Sequence, residues 1–203
     1  MMTMDWNGKH VGFALTGSHC TIAEVIPTIQ SLRAAGAAVT PILSNSVAST
    51  DTRFGTANHW FEQIQQLTGR TVISTILEAE PLGPAKLFDV MVIAPCTGNT
   101  MSKLANAMTD NAVLMAAKAQ MRNARPVVLA ISTNDGLGLN ATNLAKLMNA
   151  KHVFFVPFGQ DSPTNKANSL VARMDLIVDT CASAIFGRQL QPMLIERFKY
   201  ETS

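Results

Sequence analysis

Residues 89–111 read DVMVIAPCTGNTMSKLANAMTDN, and the order of residue types along them decides the fold. Residues 90–94 form a continuous apolar run, the pattern of a strand buried on both faces of a parallel sheet. The run passes directly into Pro95, Cys96, Thr97, Gly98 and Asn99, a tight polar loop, and helical spacing resumes over residues 100–107. A second helix is expected over residues 111–121, capped by Thr109 or Asp110. A buried strand that ends in proline, glycine and small hydroxyl residues brings backbone and side-chain donors to a ligand at its carboxyl end.

Outward from this stretch the chain alternates strand and helix. Residues 9–15 read as a short apolar strand, followed by a helix over 19–35 with Ile22, Val25, Ile26, Ile29 and Leu32 at helical spacing and Gly36 closing it. A second strand is expected over 38–43 and a third, short one over 70–73. Helices are expected over 58–67, stopped near Gly69, and over 74–80, with a turn at 81–84. Beyond the central strand the reading gives strands over 127–131 and 153–156, a helix over 142–149, and a last amphipathic helix from about 169 to about 186. Six βα units in succession predict a single-domain, Rossmann-like, doubly wound parallel sheet spanning residues 1–203, with strand order 3-2-1-4-5-6 and right-handed crossovers.

Composition narrows the function classes. Of the 203 residues 47% are apolar and only 15% charged, against roughly 25% charged in ordinary soluble domains, so part of the surface is expected to be covered in a homo-oligomer. The Ala- and Met-rich stretch over residues 103–121 is the expected contact. The formal charge of +2 comes without basic clusters or interleaved aromatics, which argues against nucleic acid. No apolar run reaches about 18 residues and the first residues do not resemble a signal peptide, so a cytoplasmic location and no membrane partner are expected. Cys20, Cys96 and Cys181 are isolated, with no disulfide or metal-ligand spacing.

In the expected strand order the first and fourth strands are neighbours whose connections leave in opposite directions. Thr16, Gly17 and Ser18 would then face residues 95–99 across a crevice, with Ser44, Asn45 and Ser46 beside them. All three loops are glycine, hydroxyl and amide without an acid. At helix N-termini such loops expose unpaired N–H groups and suit a phosphate. The first loop lacks the G-x-G-x-x-G spacing, and the second strand runs into Leu43-Ser44-Asn45 with no acid for a ribose, so a mononucleotide such as FMN fits better than NAD. The alternative is that Thr16, Gly17 and Ser18 form only a turn and cap.

Ala94-Pro95-Cys96-Thr97-Gly98-Asn99-Thr100, then Lys103-Leu104-Ala105-Asn106 and Thr109-Asp110-Asn111, resemble the signature of the flavoprotein family that includes phosphopantothenoylcysteine decarboxylase and the peptide-cysteine decarboxylases. The resemblance implies an FMN site, with the phosphate at Gly17, Ser18 and Ser44 and the flavin ring near Pro95, Cys96 and Thr97. It also places Asn99 against a substrate carboxylate. Two departures argue against cysteine decarboxylation. The family's histidine before the central strand has no counterpart in residues 80–89, and no cysteine follows the fifth strand in residues 130–140.

A narrower resemblance covers residues 13–21, 79–84, 131–135 and 157–161, and is to the family of dipicolinate synthase B subunits. It implies a sporulation oxidoreductase acting on a small dicarboxylate in the mother-cell cytoplasm. Its implied partner is the dipicolinate synthase A subunit, which resembles an NAD(P)-dependent dehydrogenase. Asn99 is then the catalytic candidate, since an amide can hold a carboxylate without adding charge; its alternative role is to brace its own loop. His19 either donates to an anion or only occupies the first helical turn. His59 reads as a structural or solvated residue, Cys96 as an apolar filler, and Met101, Met108, Met115 and Met121 as helix packing. No metal site is expected.

Overall fold

The computed structural model describes residues 4–196. Its spine is four long parallel strands, β1 (His10–Leu15), β2 (Ala38–Leu43), β3 (Val90–Cys96) and β4 (Val127–Thr133). Val11, Phe13, Ile42, Val92, Ile93, Leu129 and Ile131 are fully buried. These runs are apolar on both sides of the pleat because helices cover both faces of a parallel sheet. Side by side the order is β2-β1-β3-β4, and β5 (Val153–Phe155) pairs parallel with the first half of β4. The expected third strand is reduced to one parallel bridge, Ile42 to Ile73, at the outer edge of β2. Residue 73 therefore holds the third strand's place, and the expected order and parallel character are found.

The second half of β4 carries a different neighbour. β6 (Phe158–Gly159) and β7 (Leu170–Ala172) form an antiparallel pair, and β7 pairs antiparallel with Ser132 and Thr133. The last helix, expected from about residue 169, begins later. Leu170 and Ala172 are buried on either side of Val171, the alternation of a strand. The helix, α9 (Ile177–Ile185), follows a short 3-10 turn at Met174–Leu176.

The helices form where their caps dictate. α1 (His19–Ala34) buries Ile22, Val25, Ile29 and Leu32 on the sheet, and Gly36 follows it at φ +95°, a conformation that favours glycine. α2 (Asn45–Ser49) begins directly after β2, in place of the expected polar stretch, because the Ser44 hydroxyl accepts from Val47 N–H. α3 (Ala57–Thr68) is capped by Thr56 and stopped by Gly69 at φ +64°. α4 (Ile76–Ala79) has a full capping box between Thr75 and Glu78. The turn expected at 81–84 is found as the single-turn α5 (Leu82–Ala85).

α6 (Gly98–Ala105) and α7 (Ala112–Arg122) correct two details. The strand before α6 runs on through Pro95 and Cys96, and Thr97 caps the helix at once, so the expected loop over 95–99 is a single residue. The cap of α7 is Asn111, whose side chain accepts from Leu114 N–H; neither Thr109 nor Asp110 serves. α7 buries Val113, Leu114, Ala116, Ala117 and Gln120 inside the chain itself. α8 (Ala141–Met148) lies against β5.

Candidate functional site

The site sits where the parallel strands stop. β1 and β2 end level, with Leu15 opposite Leu43, whereas β3 continues past the level of Leu15 to Cys96, and its register with β4 shifts between Ile93 and Cys96. Thr16 joins the ends. Its hydroxyl donates to the Pro95 carbonyl at 2.7 Å and accepts from Thr97 N–H at 3.0 Å, and Thr16 is buried. Ser44 N–H donates to the Leu15 carbonyl at 3.0 Å, which brings the end of β2 to the same place. Each loop is thus pinned by bonds to its neighbour while its small residues line open space.

Two clefts open on either side of a ridge formed by Gly17 and Thr97, which line both. The first, about 340 Å³, has Thr16, Ser44, Asn45, Ser46, Asn99 and Thr100 among its walls, with Lys103, Asp110 and Asn111 at one end. The second, about 400 Å³, is lined by Ser18, Cys20, Thr21, Glu24, Gly98, Ser132, Thr133, Asn134, Asp161, Lys166 and Val171. A larger concavity of about 540 Å³ lies along α3 at residues 61–71, away from the strand ends and from every loop that converges there. Converging donors, and not volume, mark a site.

The first cleft offers hydrogen-bond donors with little free charge. Lys103 pairs with Asp110 within the chain. His19 Nε2 lies 3.2 Å from Ser46 Oγ, while its Nδ1 is buried without a partner. Loss of solvent lowers the His19 pKa, so the ring is neutral near pH 7 and acts there as a hydrogen-bonding group rather than a fixed cation. At Gly17 an added Cβ would stand 2.7 Å from Ser46 Oγ and 3.2 Å from Ser46 Cβ, so a larger residue there must displace Ser46 and narrows the gap between the first two loops. Asn99 is exposed in the cleft wall, and among the described residues its side chain has no hydrogen-bond partner; Thr97 Oγ1, not Asn99, takes Thr100 N–H.

Among the described residues no group of three or more His, Cys, Asp or Glu side chains could hold a metal, and no helix is long and apolar enough to cross a membrane.

Residues 2–185 match the model of the Flavoprotein family. The chain belongs to the Flavoprotein family. It is 58% identical to the B subunit of dipicolinate synthase from Bacillus subtilis over 192 residues, 95% of this chain and 96% of that one. The crystal structure of the dipicolinate synthase B subunit from Bacillus halodurans superposes with a TM-score of 0.88 at 53% identity, covering 96% of this chain and 100% of that one. DmrB of Burkholderia xenovorans, solved in complex with FMN, shares the fold at a TM-score of 0.59 and 16% identity, over 72% of this chain and 87% of its own.

Within this Flavoprotein fold the residues singled out from sequence divide by position. Thr16, Gly17, Ser44, Thr97 and Asn99 come together in the first cleft. Ser18 turns to the second cleft, where its hydroxyl meets Ser132 Oγ at 2.9 Å and Thr21 Oγ1 at 3.1 Å. His19 lines neither cleft and reaches the first only through Ser46. Pro95 acts through its carbonyl, while Cys96 is sealed in the core, where burial pushes its thiol up to about 12. The Cys96 side chain therefore cannot touch a ligand in either cleft, and it fills the core as a small apolar group. His59 is exposed at the start of α3, beside Trp60 and outside both clefts.

Sequence reasoning missed the second cleft as a site: Thr21, Ser132, Thr133, Asn134, Asp161 and Lys166. The signal was present in residues 132–134, a Ser-Thr-Asn run at the end of a buried strand, which obeys the same rule as the loops that were found.

Proposed function

We propose that this chain binds FMN at the first cleft and, with the dipicolinate synthase A subunit as companion, takes part in oxidising a cyclic dihydro-dicarboxylate to dipicolinate in the mother-cell cytoplasm of a sporulating bacterium. The observation that carries this reading is Asn99, an unbonded amide in a cleft at the strand ends, in a chain 58% identical to a B subunit of dipicolinate synthase. The residues present fit the phosphate end of the group. Gly17 keeps the approach open beside the N-terminus of α1, and Ser44 and Ser46 supply hydroxyls.

Aromatising a dihydro ring removes two electrons and two protons, so an acceptor is needed, and a bound flavin supplies one that takes a hydride. The chain's own part is to hold the reactants. The Asn99 amide can donate to a substrate carboxylate while adding no charge. The buried, protonated Cys96 and the apolar strand beneath Thr97 keep ionised groups out of the floor. On this reading NAD(P) belongs to the companion, and self-association covers exposed apolar residues such as Leu139 and Leu77, which are 90% and 77% exposed.

A decarboxylase reading finds less support. Across residues 80–89, where the family decarboxylases are expected to carry their histidine, this chain has none; that stretch ends in Phe88, buried in the core, and Asp89, whose carboxylate accepts from His10 N–H.

The test is to mix the purified chain with its dehydrogenase-like companion, then follow dipicolinate formation. Asn99→Asp keeps an exposed side chain of the same size but sets a negative charge against the dicarboxylate. Loss of formation at limiting substrate with stability unchanged supports the reading, and wild-type rates remove Asn99 from it.

A further inference from the structure

The second cleft is closed on one side by residues 158–172, the segment that leaves β6 and returns as β7. The segment is knitted by its own bonds. Lys166 N–H donates to the Ser162 carbonyl at 2.7 Å, Ser169 N–H to the Lys166 carbonyl at 2.9 Å, and Gln160 Nε2 to the Ala167 carbonyl at 2.8 Å. Ser169 is fully buried and its hydroxyl donates to the Asp161 carboxylate. Leu137 N–H donates to the Asn168 carbonyl at 3.0 Å, which ties the segment to the loop after β4. The backbone of Lys166 is therefore fixed on both sides, over a cleft that this residue helps to line.

Charge in this cleft is unevenly committed. Asp161 is engaged by Ser169, and Glu24 lies exposed on α1. Among the described residues the Lys166 ammonium makes no ion pair and no side-chain hydrogen bond. Across the cleft Ser18, Thr21 and Ser132 form a triangle of hydroxyls at 2.9 to 3.1 Å. Hydroxyl hydrogens rotate to suit a partner, so the triangle can turn donors outward to one carboxylate. An ammonium ion opposite can hold another.

We infer that Lys166 determines specificity for a dicarboxylate over a monocarboxylate, by ion-pairing the second carboxylate of a small ring substrate whose first carboxylate lies over the Gly17 and Thr97 ridge, between the Asn99 amide of the first cleft and the Ser18, Thr21 and Ser132 hydroxyls of the second. This rests on the function proposed above and names the residue that recognises its substrate. The two acids in the cleft oppose an anion and set the sign of a second effect. Removing the Glu24 charge strengthens dicarboxylate binding, whereas it would weaken binding of a cation.

The experiment is calorimetry on the purified full-length chain with dipicolinate and with pyridine-2-carboxylate, which lacks the second carboxylate. The wild type is expected to bind dipicolinate about tenfold more tightly, the scale of a partly exposed charge pair joined to hydrogen bonds. Lys166→Gln removes that preference while leaving pyridine-2-carboxylate affinity unchanged, which also shows that the cleft is folded. Lys166→Arg retains the preference, and Glu24→Gln tightens dipicolinate binding. If Lys166→Gln keeps the preference, or weakens both ligands equally, Lys166 has no such role although the proposed function stands. Failure of the wild type to bind dipicolinate overturns the inference together with the function on which it rests.

Discussion

Thr16 and Pro95 fasten the carboxyl ends of two neighbouring strands to each other: the Thr16 hydroxyl donates to the Pro95 carbonyl at 2.7 Å and takes Thr97 N–H at 3.0 Å. One buried hydroxyl thereby sets the ridge that divides the two clefts. Thr16→Val keeps the shape and removes both bonds, leaving a carbonyl and an N–H without their partner. The expected cost is about 1–3 kcal/mol in urea unfolding, with weaker FMN binding because the ridge is released. A variant as stable as the wild type would show that the strand ends are held by other means.

Gly17 lines the first cleft beside Ser46. Gly17→Val places a Cβ 2.7 Å from Ser46 Oγ and branches beyond it into the cleft. FMN or inorganic phosphate affinity should fall at least about tenfold by calorimetry, with the circular dichroism spectrum unchanged. Equal affinity in a folded variant contradicts phosphate binding at this loop.

Asn99 separates stability from function. Among the described residues its side chain makes no hydrogen bond, so Asn99→Ala should alter unfolding free energy by no more than about 0.5 kcal/mol. It should nonetheless lose most dipicolinate formation when mixed with the dehydrogenase-like companion. A clear loss of stability instead would assign Asn99 a bracing role in the loop.

The cysteines differ by burial. Cys96 and Cys181 are buried and both thiols are pushed up by loss of solvent, Cys96 to about 12, while Cys20 is exposed. Iodoacetamide at mildly alkaline pH should label Cys20 alone in the native chain, read by mass spectrometry. The same shift makes stability depend on pH. A thiol kept protonated by the fold ionises in the unfolded chain from about pH 8.5. Its contribution is whole below that value and is lost as pH rises toward the native one, so unfolding at pH ~10 should need less urea than at pH ~8. Labelling of native Cys96 would show that the strand end is open.

Much of this was legible because the central strands are written as unbroken apolar runs. The buried strands expected at residues 90–94 and 127–131 needed no tertiary information, although each runs two residues further, to Cys96 and Thr133, and the loops that meet at the clefts followed from small residues at the strand ends. The pair β6 and β7 was not legible: two- and three-residue strands carry too short an alternation, and Leu170 and Ala172 also fit the start of a helix. The capping of α7 by Asn111 lay among three adjacent capping residues that sequence cannot rank. The hydroxyl triangle joins Ser18 to Ser132, 114 positions apart, and only the sheet order brings them together. The Ala- and Met-rich stretch around α7 is the contact that composition suggests between protomers, yet the fold spends most of that face inside the chain. The expected self-association is then assigned to other exposed apolar residues, and light scattering at micromolar concentration should report an oligomer; a monomer would remove that expectation.

The most direct measurement is a flavin titration of the purified chain, followed by its visible spectrum. Saturable FMN binding with a shifted flavin absorption band is expected, abolished by Gly17→Val and preserved in Asn99→Ala. A folded chain that is colourless when purified and leaves the FMN spectrum unchanged on titration would contradict the flavin site, and with it the claim that this protein brings an electron acceptor to the dicarboxylate.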